Sequence, residues 1–193
     1  MNPSASLLDS LRNVSDAGAW NRLVELYSPL IRNWLRRHGA VLGDIDDVVQ
    51  EVLTVVVRRF PEFQRQPRTG AFRAWLRTIT VNCLRDHWRR SNKQATAIGG
   101  SDFGEIVNQL ADPQSGISKV WDREHDEHVT RYLLDRIRPD FSPQTWRAFE
   151  RFAIDGLSAD QVATELGMTA NAVFIAKSRV MAALRDRGRG LID

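Results

Sequence analysis

The chain of 193 residues has a single cysteine, four histidines and two tyrosines, and no apolar run approaches the length needed to span a bilayer. One cysteine excludes an intramolecular disulfide. Cys83 falls on an apolar helical face, where a small buried hydrophobe is expected rather than a reactive thiol, and the compartment is read as reducing cytosol. The N-terminus, MNPSASLLDSLRNVSD, lacks a basic start followed by an apolar stretch, so a cytoplasmic protein, neither exported nor inserted into a membrane, is expected. Histidine is too sparse for a convincing metal site. His125 and His128 lie beside Glu124 and Asp126 in REHDEH, but no third well-placed ligand accompanies them. That segment is read as an exposed acidic turn, with no metal and no cofactor.

Acid is what the most informative stretch lacks. From Phe72 to Arg90, FRAWLRTITVNCLRDHWRR contains Asp86 alone against its arginines. At helical periodicity Phe72, Leu76, Ile79 and Cys83, with Trp75 beside them, form a face for a helical core. Arg73, Arg77, Thr78, Asn82, Arg85 and Arg89 point elsewhere, with Trp88 among them. An Arg stripe is usually a solvated face. This one has almost no acidic partner at i+4 and repels itself unless something anionic meets it. Guanidiniums suit a phosphate backbone, Thr78 and Asn82 can reach bases, and an aromatic among arginines makes a stacking platform for an unpaired strand.

The charge along the chain runs basic, acidic, basic. The formal net charge is only +3, yet residues 102–127 carry seven acids (Asp102, Glu105, Asp112, Asp122, Glu124, Asp126 and Glu127) against Lys119 and Arg123. Before the organising helix, Ser6 or Asp9 can cap a short helix. Ala17 to Arg37 follows with Trp20, Leu23, Val24, Tyr27, Ile31, Trp34 and Leu35 at core spacing and a kink or break expected at Pro29. Asp44 to Phe60 contains a β-branched run, Val52 to Val57. A helix is nevertheless expected, because Asp44 is a good N-cap and Asp47, Gln50, Glu51, Thr54 and Arg58 fall on one stripe. By itself that stripe is a docking surface or a solvated face. The loop that follows holds Pro61, Pro67 and Gly70 and is basic through Arg65 and Arg68, which can hold a displaced single strand.

After Arg90 the helical period collapses, and residues 91–116 are read as a flexible linker in which Ile106, Val107 and Leu110 form at most a short helical turn. Helical signals resume near Ile117 and end at Pro139. Ser142 with Pro143 opens another helix, stopped by Gly156. From Leu157 to Leu184 the grammar is that of a helix-turn-helix: Ser158 and Gln161 as a capping box, Gly167 in the turn, Thr169 capping a second helix. Leu157, Val162, Ala163 and Leu166 pack the first helix, and Val173, Val180 and Leu184 the second. The second helix then presents Thr169, Asn171, Ala172, Phe174, Ile175, Lys177, Ser178 and Arg179 toward a major groove, with tail arginines Arg185, Arg187 and Arg189 available for phosphates.

Taken together, the stretches resemble the small two-domain bacterial RNA polymerase sigma factors of the extracytoplasmic-function (ECF) group, over nearly the whole chain. Three segments carry the resemblance: Asp44-Ile45-Asp46-Asp47-Val48-Val49-Gln50-Glu51-Val52; Phe72-Arg73-Ala74-Trp75-Leu76, continuing through Asn82 to Arg90; and the Leu157 to Leu184 helix-turn-helix. It implies an all-α fold of two helical domains: region 2 over 1–90, a flexible linker over 91–116 and region 4 over 117–193. It also implies the roles. Asp44, Asp47, Gln50 and Glu51 would dock on the clamp coiled coil of the polymerase largest subunit, with the flap a further contact. Arg65, Arg68, Arg73, Arg77, Thr78, Asn82, Arg85, Trp88 and Arg89 would read and open the −10 element, and the second helix of the helix-turn-helix would read the −35 element. Where members follow the valine at the Val173 position with Lys-Ser-Arg, this chain has Phe174-Ile175-Ala176 and places Lys177-Ser178-Arg179 one turn later.

The expected protein is therefore a non-catalytic DNA-binding subunit for transcription initiation, with core RNA polymerase, promoter DNA and a sequestering anti-sigma factor as partners. Its closest rival is a stand-alone helix-turn-helix transcriptional regulator, which needs no Asp44 to Glu51 surface. An enzyme such as a nuclease using Asp46, Asp47 and Glu51 is the second; helical spacing puts Asp46 around the side from Glu51.

Overall fold

The computed structural model describes residues 6–12, 16–38, 45–63, 70–92 and 100–192, and all regular structure among them is helical. Asp44, Arg65 and Arg68 lie outside the described residues. Helix α1 (Leu7–Leu11) is capped by Ser6, whose hydroxyl accepts from the Asp9 amide. Helix α2 (Ala17–Arg37) starts at Asp16, which accepts from the Ala19 amide, and runs through Pro29 as one element, so the expected break does not divide it. Helix α3 (Ile45–Arg59) contains the β-branched run and is followed by a tight turn at Phe60–Glu62. Burial of Val48, Val49, Val52, Leu53 and Val56 against neighbouring helices outweighs strand propensity there.

Helix α4 (Ala71–Asn92) lies against α3 on one side and α5 (Gly100–Ala111) on another. The expected apolar face is buried: Phe72, Leu76, Ile79 and Cys83. So are Thr80, Val81 and Leu84, because α4 is covered from more than one direction. Thr80 satisfies its buried hydroxyl by donating to the Leu76 carbonyl at 2.9 Å. Helix α5 departs from the sequence reading, which allowed one turn in this region. Twelve residues are helical, Val107 and Leu110 are buried, and the helix packs on α4 and α6. Gly104 stands within the helix beside the Trp88 ring and does not break it.

Helix α6 (Gly116–Ile137), capped by Ser115, joins the two halves of the chain. It crosses α2, where Trp34 meets Trp121 edge-on at 5.4 Å, and also packs on α9. Helix α7 (Pro143–Phe149) begins at its Ser142 cap and continues as a π-helical turn, Glu150–Ile154, ended by Gly156 at φ +75°. The helix-turn-helix has the expected form. Helix α8 (Ala159–Leu166) carries the Ser158–Gln161 capping box, Gly167 turns at φ +62°, and Thr169 caps α9 (Ala170–Gly188).

Burial does not divide at residues 91–116. One continuous core runs from Leu7 to Leu191, and a smaller cluster of Ala148, Val162, Val173 and Ala176 sits under the helix-turn-helix. Cys83 belongs to the large core. Burial first, then the carboxylates of Glu51 and Asp86, push its thiol up to about 11. Alkylation of the folded protein at pH 8 is therefore expected to be on the order of 100-fold slower than that of the denatured chain. A thiol count with iodoacetamide in the presence and absence of denaturant checks this; equal rates would place Cys83 at the surface.

Candidate polymerase and nucleic-acid interfaces

Three surfaces carry the residues singled out by sequence. The first lies on α2 and α3. Asp47 and Gln50 are exposed, whereas Glu51 is half-buried and paired with Arg90 of α4 at 2.6 Å. Alongside runs an open groove of about 740 Å³ lined by Val24, Ser28, Arg32, Asp46, Val49, Gln50, Leu53, Thr54, Val57 and Arg58. Two of its apolar residues were not anticipated as surface: Val24 is 40% exposed, although its spacing reads as core, and Val57 is 41% exposed. The signal was available for Val57, which stands seven residues after Gln50 and so on the polar stripe. The surface thus combines acid, amide and aliphatic groups.

The carboxylates of this helix do not converge on a metal. Asp46 accepts from the Arg32 Nε at 2.7 Å and Glu51 from Arg90, on different sides of α3. No group of three or more His, Cys, Asp or Glu side chains able to hold a metal ion occurs among the described residues. Nor, among those residues, is any helix long and apolar enough to cross a membrane.

The second surface is α4, and its arginines divide into two sets. Thr78, Asn82 and Arg89 are exposed, Trp88 is exposed beside Gly104 of α5, and Arg85 is half-buried with its guanidinium donating to Asn108 of α5 at 3.1 Å. Arg73 and Arg77 do not face solvent. Arg77 is only 7% exposed and donates to Asp122 of α6 at 2.9 Å. Arg73 meets the same carboxylate at 3.3 Å and also pairs with Asp126. The anion that this basic face requires is, for these two arginines, supplied by the chain's own acidic segment.

REHDEH is the centre of that contact and not an exposed turn. It lies within α6 with His125 fully buried. The Tyr27 hydroxyl donates to His125 Nε2 at 3.3 Å, and His125 Nδ1–H donates to Asp126 at 3.0 Å. His128 Nε2–H donates to the Leu26 carbonyl at 2.7 Å. Two further ion pairs flank the contact: Arg37 to Glu124 at 2.6 Å and Arg136 to Glu25 at 2.7 Å. Glu124, Asp126 and both histidines of the segment therefore bind protein groups on α2 and α4, while Glu127 is exposed. Sequence periodicity alone gave no sign of this, because the partners on α2 and α4 are 53 to 102 residues away.

Burial holds His125 below its ordinary pKa, the opposing pull of Asp126 notwithstanding. Burial alone would raise Asp126; hydrogen bonds from His125 and Arg73 outweigh it and keep the carboxyl below its usual range. A histidine whose folded pKa is depressed contributes stability above its unfolded value, near 6.5, and loses it as pH falls below that value. The loss is at most about 1.4 kcal/mol per pH unit. His38, also lowered chiefly by burial, acts in the same direction. Denaturant midpoints are therefore expected to drop between pH 7 and pH 5.5, and His125→Gln to flatten that slope while leaving part of it. An unchanged slope would contradict the neutral buried imidazole.

The third surface is α9. Asn171, Phe174, Ile175, Lys177, Ser178 and Arg179 are exposed. Thr169 is also exposed, but its hydroxyl is committed to the Ala172 amide as the cap, at 3.1 Å, and Ala172 is half-buried. Val173, Ala176, Val180 and Leu184 hold the opposite face in the core.

Residues 23–94 match the Sigma-70 region 2 family. The chain is 25% identical over 177 residues to the ECF RNA polymerase sigma factor SigF of Caulobacter vibrioides, covering 90% of this chain and 88% of that protein. It is likewise 25% identical over 158 residues to the RNA polymerase sigma factor CnrH of Cupriavidus metallidurans, covering 80% of this chain and 78% of CnrH. A solved structure of CnrH in complex with the cytosolic domain of CnrY aligns over 92% of both chains at 22% identity, with a TM-score of 0.36.

Proposed function

Because residues 23–94 match the Sigma-70 region 2 family and the chain is similar to ECF sigma factors, we propose that the protein binds core RNA polymerase and directs promoter-specific initiation by reading two DNA elements. Sigma factors are not enzymes, and neither is this protein. The observation that carries the proposal is the pairing, in one chain, of the α2–α3 groove inside the matched region with a fully formed helix-turn-helix outside it. A stand-alone regulator needs only the second.

In this reading Asp44, Asp47, Gln50 and Glu51 meet the polymerase clamp coiled coil. Leu53, Val57 and Val24 supply the apolar part of the contact, since acid stripes steer a partner while desolvated aliphatic groups retain it. The same mixed surface suits an anti-sigma protein that competes with polymerase. Thr78, Asn82, Arg85, Trp88 and Arg89, with Arg65 and Arg68 earlier in the sequence, take the displaced strand of the −10 element. Arg73 and Arg77 join them only in an arrangement in which the α6 carboxylates have left. Residues 117–193 act as region 4, with α9 reading the −35 duplex, and residues 91–116 connect the two units. Tethering both to one polymerase converts two weak readings into one tight one.

Co-purification tests the first half of the proposal. Tagged full-length protein is expected to retain bacterial core RNA polymerase. Specific duplex binding with no polymerase retained would make the protein a free-standing regulator.

A further inference from the structure

A helix held to its neighbours by packing turns its charges to solvent. Helix α6 leaves Lys119, Arg123 and Glu127 exposed but turns Asp122, Glu124 and Asp126 toward α2 and α4, where all three are paired with arginines. Burying an ion pair costs desolvation that an apolar pair avoids, so attachment of the helix does not by itself call for this arrangement. The acids have a second use.

Asp122 and Asp126 stand one helical turn apart on α6, as Arg73 and Arg77 do on α4. Arg77 donates to Asp122 at 2.9 Å, while Arg73 reaches the same carboxylate at 3.3 Å and also pairs with Asp126. A guanidinium donates to a carboxylate with the same planar fork that it offers a phosphate. With Arg77 only 7% exposed, no phosphate reaches it while Asp122 is in place. Further along α4, Asn108 of α5 takes the Arg85 guanidinium at 3.1 Å, and a Cβ at Gly104 of α5 would stand 3.8 Å from the Trp88 ring. Residues 100–126 thus meet both ends of the α4 face, and Thr78 and Asn82 between them stay exposed.

Beside the Trp34–Trp121 contact, α6 is held to α2 by polar groups: Tyr27 on His125, the Leu26 carbonyl on His128, and the ion pairs Arg37–Glu124 and Arg136–Glu25. Contacts that open within a chain are polar in this way, unlike those that stay closed. The far end of α6 is tied to α9, where a Cβ at Gly188 would come 3.1 Å from Leu133 Cδ1, so a displaced α6 travels with the helix-turn-helix. We infer that α5 and α6 form an autoinhibitory strap: in the free chain Asp122 and Asp126 occupy Arg73 and Arg77 as the phosphates of a single strand would, and such a strand binds at full strength only after the strap has moved away. This rests on the reading of α4 as the strand reader and adds how that face is kept shut. Core polymerase, which the two units engage separately, displaces the strap.

Two experiments on the full-length chain test this. In the first, a fluorescein-labelled single-stranded oligonucleotide of mixed sequence is titrated with the protein in the absence of polymerase. Asp122→Asn combined with Asp126→Asn is expected to bind it at least about tenfold more tightly than the parent, the order of one recovered charged hydrogen bond. Adding Arg73→Gln and Arg77→Gln is expected to cancel the gain. No gain, or a gain that survives loss of the arginines and so reflects net charge alone, overturns the inference. The second experiment keeps every acid in place. Spin labels at Arg36→Cys on α2 and Arg131→Cys on α6, both exposed positions, are expected to give one short distance in the free chain and a longer one when core polymerase is added; Cys83, being buried, stays unlabelled. An unchanged distance in the polymerase-bound chain means a closed strap and overturns the inference. The reading of α4 fails separately: if Asn82→Ala and Arg89→Ala leave strand binding by the polymerase-bound chain unaltered, α4 is not the strand reader and the strap has nothing to mask. Where those variants do weaken the strand and the strap results fail, only the strap is lost.

Discussion

Asp47→Lys combined with Val57→Glu is expected to lower the affinity for core RNA polymerase by on the order of 100-fold, with no change in the unfolding midpoint. Asp47 is exposed and makes no hydrogen bond or ion pair among the described residues, and Val57 is 41% exposed at the rim of the groove, so neither holds the fold together. Reversing a charge on a steering stripe juxtaposes like charges, which costs several kcal/mol at a matched interface. Inserting a carboxylate into its apolar part adds a desolvation cost. Glu51→Lys is less clean, since Glu51 also anchors Arg90 of α4. Titration of core polymerase followed by anisotropy measures the loss. Duplex affinity of the double variant should be unchanged, and an unaltered polymerase affinity would return the stripe to a solvated face.

The second large effect concerns stability. Asp122→Ala is expected to destabilise the protein by about 2–3 kcal/mol, toward the low end of values for breaking a buried pair because Asp122 is about a third exposed. The substitution strands the guanidinium of Arg77, which is 7% exposed and donates to Asp122. Arg77→Met should be milder, within about 1 kcal/mol, because it removes the charge that needed a partner and leaves Asp122 still paired with Arg73. Urea titrations of both variants at pH 7.5 give the comparison. Equal costs would mean that the pair is solvated and that α6 is held to α4 by apolar packing alone.

Most helices were legible from local signals. Ser142-Pro143, the Ser158–Gln161 box, Gly167 and Thr169 each carry their own geometry, and the structure has a cap or turn at each. The helical reading succeeded over Ile45 to Arg59, where the polar stripe outweighed the propensity of the valines, while its Asp44 cap lies outside the described residues. Failures came where a segment owes its state to distant partners. Helix α5 has an apolar face of its own, with Val107 and Leu110 buried against α4 and α6, but the Gly, Ser and Pro residues around it hid that face, and His125 is buried under α2, where Tyr27 meets its Nε2. The self-repelling arginines of α4 signalled an anion correctly. The signal did not say that, for Arg73 and Arg77, the anion lies on α6. Val24 was misassigned because helical spacing identifies an apolar face without showing whether another helix covers it.

The central claim is that this chain gives core RNA polymerase its choice of start site. Its most direct test is transcription in vitro from fragmented genomic DNA of the source organism by core enzyme with and without the full-length protein. The account predicts a small set of transcripts that start at defined positions, require the protein and share two upstream elements. The same transcripts from core enzyme alone, or none with the protein present, would contradict it.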